Sequence, residues 1–146
     1  MRFAKLDGRL SVAPQLMAED IADAAAEGFR LLICNRPDGE AEGQPSADAL
    51  AASARRHGLG FAHIPVVGAS IERDAVEAFH AALATADGPV LAFCRSGMRS
   101  TLLWALGEAS HRPVEAVIDA ARAAGFDLSA QRSALEAAAR RGGPRR

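Results

Sequence analysis

Three short apolar runs punctuate the chain: Arg30–Asn35 (RLLICN), Gly60–Pro65 (GFAHIP) and Pro89–Phe93 (PVLAF). Each has strand length and is bounded by turn residues, as buried parallel strands are. Between them the spacing changes to a helical period. Met17–Glu27 puts Met17, Ile21, Ala24 and Ala25 on one face, and Gly28 follows as a stop. Ser46 is placed to cap a helix running to His57, with Gly58 beyond it. Ser70 opens a third helix, carrying Ile71, Ala75, Val76 and Phe79 at helical spacing. After the third strand, the loop 94–100 leads into a Leu-rich helix, Thr101–Ala109, that contains Trp104. Pro113 stands at the first position of a helix that reaches Ala124 and stops at Gly125. Ser129–Arg140 reads as the last helix. At the start, Arg2–Leu6 and Leu10–Ala13 flank Asp7-Gly8, a hairpin signal.

Alternating strands and helices predict an α/β fold: a single three-layer domain with a mainly parallel central sheet flanked by helices. In such sheets ligands bind beyond the carboxyl ends of the strands. The loops after Asn35, Pro65 and Phe93 therefore carry the search for a site. A length of 146 residues is one domain. We place that domain at 1–140, followed by a basic, flexible tail at 141–146. Hydrophobic residues at 49% and charged residues at 24% are ordinary globular composition, which excludes collagen-like, coiled-coil and disordered classes. A formal net charge of −1 argues against nucleic-acid binding across a broad face. No apolar run has the length of a membrane span, and MRFAKLDGRL lacks the apolar stretch of a secretory signal. Two cysteines make no disulfide framework, so a reducing cytoplasm is expected. The oligomeric state stays open, because an alanine-rich helix face serves equally as core or interface.

Chemistry concentrates in Cys94-Arg95-Ser96-Gly97-Met98-Arg99-Ser100. A cysteine at a strand end, a tight loop and a helix N-terminus let backbone amides and the helix dipole converge on one point, an anion site. The same field favours the thiolate of Cys94. Arg95 and Arg99 add positive charge, Gly97 permits unusual backbone angles, and Ser100 is placed to donate a hydrogen bond to the sulfur.

CRSGMRS is similar to the active-site loop of rhodanese-type sulfurtransferases, which cradle a cysteine persulfide with four residues between the Cys and a basic or hydroxyl position. Cysteine-dependent phosphatases use a related cradle with five residues between Cys and Arg. Here four residues separate Cys94 from Arg99, and Ser100 stands where a phosphatase would keep its arginine. SVAPQL at 11–16, NRPDGE at 35–40, GQPS at 43–46, HIPV at 63–66 and the loop through Trp104 resemble, in order, the beta-lactamase hydrolase-like protein, phosphatase-like domain family. The likeness runs from Phe3 to Ala138. It implies a dual-specificity-phosphatase-like fold, and either phosphatase or sulfur-transfer activity linked to sulfide and persulfide metabolism. It does not imply lactam hydrolysis: there is no HxHxDH motif, and His57, His63, His80 and His111 are scattered. No metal or organic cofactor is expected.

Two clues separate the chemistries. A phosphoryl group needs three oxygens held and their charge balanced, which the longer phosphatase loop does; a persulfide is smaller. Phosphatases of this fold also keep an aspartate after the second strand to protonate the leaving oxygen. Aligning HIPVVG to that loop leaves Gly68 there, with no carboxylate until Glu72, although Asp38 or Glu40 can substitute. Both clues favour a sulfurtransferase moving sulfane sulfur through a persulfide on Cys94 to a thiol or other small nucleophile. The alternatives are a phosphatase acting on a phosphorylated substrate through phosphocysteine, and a non-catalytic anion or persulfide sensor. Arg36 either binds an anionic acceptor or pairs with Asp38 or Glu40 to hold its loop. His63 supports that loop or sits near the anion. Met98 lines the mouth of the pocket. Cys34 is a buried apolar side chain, or a resolving thiol if its Cα lies within about 7 Å of that of Cys94. Trp104 packs in the core.

Overall fold

A computed structural model describes residues 3–68 and 70–142. Arg2 and the end of the basic tail, 143–146, lie outside the described residues. A five-stranded sheet has the order β1-β2-β5-β3-β4, where β1 is Ala4–Lys5, β2 Leu10–Ala13, β3 Leu31–Cys34, β4 Gly60–His63 and β5 Val90–Phe93. Only β1 runs antiparallel; β2, β5, β3 and β4 are parallel neighbours. The parallel strands are in step, so that Ala13, Phe93, Cys34 and His63 form one row at the carboxyl edge.

Side chains alternate across a strand, and the alternation divides the core in two. Leu91 and Phe93 join Leu32, Ile21 and Leu50 on the face covered by helices α1 (Ala18–Ala26) and α2 (Ala47–Arg56). Val90 and Ala92 join Val12, Ile33 and Trp104 on the other face. That face carries α3 (Arg73–Thr85), α4 (Met98–Glu108), α5 (Val114–Ala123) and α6 (Arg132–Arg141), the last preceded by a 3-10 turn, Ser129–Gln131. The fold is therefore the expected three-layer α/β domain. Helix α4 is its axis, buried at every residue from Ser100 to Glu108 and packed by α3, α5 and α6. A helix apolar all round belongs inside. Trp104 is fully buried there, and its indole N–H donates to Asp7 Oδ2 at 3.0 Å.

Several boundaries differ from expectation, each for a local reason. Met17 is exposed rather than on the buried face of α1. It is the extended N-cap, and its N–H donates to Asp20 Oδ2 at 2.8 Å, which brings Asp20 inside. Helix α3 starts at Arg73, not Ser70, because the backbone is still extended at Glu72. Pro113 caps α5 instead of opening it, being extended itself. Helix α4 begins at Met98, three residues early, because Gly97 at φ 96° turns the chain directly into helix. Arg99 and Ser100 thus belong to its first turn. Helix α6 continues through Arg141, one residue into the expected tail.

Gly107 lets α3 approach α4. A Cβ there would overlap the ring of the buried His80, and that ring's Nε2–H donates to Leu103 O at 3.1 Å. Gly107→Ala is expected to destabilise the domain by about 1–3 kcal/mol through overpacking, measured as a fall in the urea midpoint at constant slope.

Candidate active site

The row at the carboxyl edge places four loops side by side. They follow Ala13, Cys34, His63 and Phe93. Asn35 ties three of these elements together. Its N–H donates to Phe93 O at 2.8 Å, its Nδ2 to Ile64 O at 2.8 Å, and its Oδ1 accepts the Ser100 hydroxyl at 2.8 Å. The expectation that Ser100 donates to the cysteine sulfur is therefore corrected: its proton goes to Asn35, which anchors the first turn of α4.

Cys94 is fully buried and belongs to neither apolar cluster. Its Sγ accepts the N–H of Gly97 at 3.1 Å. Gly97 O in turn accepts both the N–H and the hydroxyl of Thr101, at 3.0 and 2.8 Å. The Met98 N–H does not turn inward as a cradle amide; it donates to Ser96 Oγ at 3.2 Å, because a hydroxyl just before a helix captures an orphan donor. Ser96 thereby serves the helix start. Arg95 is exposed, and its carbonyl accepts the Gln15 N–H at 3.3 Å.

Arg99 faces the sulfur with its charge already engaged. Its Nη1 and Nη2 donate to Glu40 Oε2 and Oε1, both at 2.9 Å, and Nη1 donates to Val66 O at 2.8 Å. The Glu40 hydrogen bonds raise its pKa despite burial, and the neighbouring Cys94 sulfur raises it further. Arg36 Nε donates to the same Glu40 Oε1 at 2.9 Å, and its Nη1 to Gln15 Oε1 at 3.0 Å. The Arg99 hydrogen bond, and then that of Arg36, hold the Glu40 carboxyl down to about 2. Two arginines share one carboxylate.

The other expected residues brace this cluster. Arg36 is buried as a prop of its loop. Asp38 Oδ1 accepts the Ala47 N–H at 2.8 Å and so caps α2 instead of facing the site. His63 Nε2–H donates to Arg36 O at 2.9 Å. Cys34 also donates to Arg36 O, at 3.5 Å, and burial pushes its thiol up to about 11. Both cysteines are free. Glu40, expected as a substitute acid or a partner of Arg36, also engages Arg99; Gln15 and Asn35 were given no site role by sequence pattern, and theirs come from loops that meet only across the sheet.

Beside the cysteine loop lies a groove of about 620 Å3 lined by Arg95, Met98, Arg99, Leu102, Glu40, Gly68, Asp127, Ala130 and Gln131. Met98 is one of its lining residues. Asp127 Oδ1 accepts the Ser129 hydroxyl and N–H at 2.6 and 2.9 Å, which lower its pKa. Among the described residues no group of three His, Cys, Asp or Glu side chains is arranged to hold a metal.

Residues 2–111 match the sequence model of the beta-lactamase hydrolase-like protein, phosphatase-like domain family. The chain belongs to this family. A beta-lactamase hydrolase-like protein of Xylella fastidiosa is 40% identical over 133 residues, 88% of this chain. The chain spans only 30% of that relative's length. A crystal structure from Neisseria meningitidis, of a protein provisionally called a phosphatase, superposes with a TM-score of 0.88 at 39% identity, covering 94% of this chain and 99% of that one. TpbA of P. aeruginosa in complex with pTyr superposes at 0.68, 14% identical over 96% of this chain and 89% of that one, a likeness of fold. The domain is therefore phosphatase-like. Asp127, Ala130 and Gln131 lie beyond the family match, so one wall of the groove is built by sequence outside it.

Two predictions follow from the family loop in this setting. Gly97→Ala forces a side chain into the left-handed region and against Phe126 Cζ at 2.9 Å; a loss of about 1–3 kcal/mol is expected in urea unfolding, together with loss of Cys94 reactivity. The ordinary value for Glu40 is 4.5 and the folded value about 2, so its ion pair stabilises fully above 4.5 and is lost as pH falls toward 2. The stability advantage of wild type over Glu40→Gln, on the order of 1 kcal/mol after solvent screening, should shrink over that window in urea titrations.

Proposed function

We propose that the protein is a sulfurtransferase that carries sulfane sulfur on Cys94. The thiolate forms a bond to the outer sulfur of a donor such as glutathione persulfide. The donor's own S–S bond breaks, and its remainder leaves with the bonding pair, as glutathione thiolate in that case. An acceptor thiolate then bonds to the outer sulfur, and Cys94 leaves as thiolate. The Gly97 N–H and Arg99 support the anionic sulfur in both half-reactions.

The observation that carries this reading is the state of the acids. Glu40 and Asp127, the carboxyls lining the groove, are both held ionised by hydrogen bonds, and Asp38 caps a helix. Phosphate-ester hydrolysis needs a proton for the departing alkoxide. Thiolates leave without one. Cys34 stays a neutral thiol at neutral pH, so a resolving role would require removing a proton from a buried sulfur. Two free thiols suit a reducing compartment.

The second reading, a phosphatase working through phosphocysteine, is favoured by the fold and by the names of its structural relatives. The two readings part experimentally. On incubation with glutathione persulfide, the intact mass of wild type should rise by one sulfur atom and that of Cys94→Ser should not. Cys94-dependent turnover of an aryl phosphate without a sulfur adduct would establish the phosphatase instead. Neither activity would leave an anion-binding module.

A further inference from the structure

Glu40 is held from three directions. Two hydrogen bonds of 2.9 Å join it to Arg99, and a third of 2.9 Å joins it to Arg36. Its own N–H donates to Gln44 Oε1 at 3.1 Å, and Gln44 Nε2 donates to Pro37 O at 2.9 Å, which fixes the loop that presents it. The carboxylate lines the groove, as Arg99 does, whereas Cys94 has no exposed surface. An arginine fork offers its paired donors to one planar anion at a time. Here that anion is part of the protein.

We infer that Glu40 sets the charge of the substrate this groove accepts: as an internal carboxylate on the Arg99 fork, it admits neutral and singly charged groups to Cys94 and turns away phosphate-monoester dianions. The inference rests on the sulfur-transfer reading for its substrate class, and it adds the residue that excludes the competing class. An incoming dianion meets a fork already satisfied, and it meets the Glu40 charge within a few ångströms. Removing that charge while keeping a hydrogen-bonding oxygen should free Arg99 for phosphate. The unfilled cation then gives the cleft the electrostatic character of an oxyanion site. A carboxylate that merely braced the loop would behave differently, because neutralising it would loosen the site for every ligand alike.

The test measures binding of phenyl phosphate by calorimetry to Cys94→Ser protein, with and without Glu40→Gln. At pH 7.5 the ester is dianionic, since its second ionisation lies at about 6. There Glu40→Gln should bind about tenfold more tightly. At pH 5, where the ester carries one charge, the gain should fall to about twofold. Unchanged or weaker binding at pH 7.5 overturns the inference, as does an equal gain at both pH values. Glu42→Gln, a charge change at an exposed position of the same loop, should have no effect; an equal gain there would remove the assignment to Glu40. If Glu40→Gln does not fold, Glu40→Asp carries the test: one methylene shorter, it should tighten binding about threefold, and no gain overturns the inference. Persulfide loading is followed in parallel on protein that keeps Cys94. Tighter phosphate binding with no persulfide in wild type sustains the role of Glu40 and refutes sulfur transfer. Persulfide in wild type with no gain in phosphate binding does the reverse.

Discussion

The site depends on strands that end together. Because β2, β5, β3 and β4 are in step, the residues after Ala13, Phe93, Cys34 and His63 emerge at one level, and Asn35 can reach its neighbours on either side. Its backbone and side chain bind Phe93, Ile64 and Ser100, and its own carbonyl accepts the Val66 N–H at 3.1 Å. Four bonds on one buried residue fix where α4 starts relative to the sheet. A slip of one position would turn each strand over and send Cys94 elsewhere. A fully satisfied polar group in a low-dielectric setting gives that register its specificity.

Above this frame, electrostatics decides what the cysteine meets. A cradle of amides with two free arginines would suit a highly charged anion. The cradle found here is leaner. The Gly97 amide points to the sulfur, the Met98 amide is taken by Ser96, Arg95 is exposed at the groove wall, and Arg99 shares its charge with Glu40. The phosphatase-like architecture is retained while the positive charge of Arg99 is offset by an internal carboxylate. A group that brings little charge of its own, such as a persulfide, fits that balance better than a phosphoryl dianion does.

The layer order, the parallel sheet, the Ser46 cap and the cysteine loop were legible in the chain because each is local: a run of LLIC or VLAF, a Ser before a helix, a Cys–Gly–Arg spacing. The likeness to the family was legible for the same reason. What was not legible depends on contacts between segments far apart. Glu40 was legible as a neighbour of Arg36 within its own loop, but only the folded sheet brings it 59 positions along the chain to Arg99. Ser100 looked like a donor to sulfur because sequence shows its distance from Cys94 but not that Asn35 waits on the neighbouring strand. Gln15 stood in a quoted motif, SVAPQL, but its role was hidden, since it holds Arg36 and the cysteine loop from across β2 and β5. Helix starts at Met98 and Arg73 were displaced because one glycine in the left-handed region and one extended cap outweigh the apolar spacing.

The central claim, that sulfur passes through Cys94, is tested most directly by a single-turnover chase. Protein loaded from glutathione persulfide carrying radiolabel in its outer sulfur is freed of donor and mixed with an acceptor thiol. The account predicts that the label leaves Cys94 at least as fast as steady-state turnover and appears on the acceptor. Label that stays on the protein while turnover proceeds, or that never binds, would contradict it.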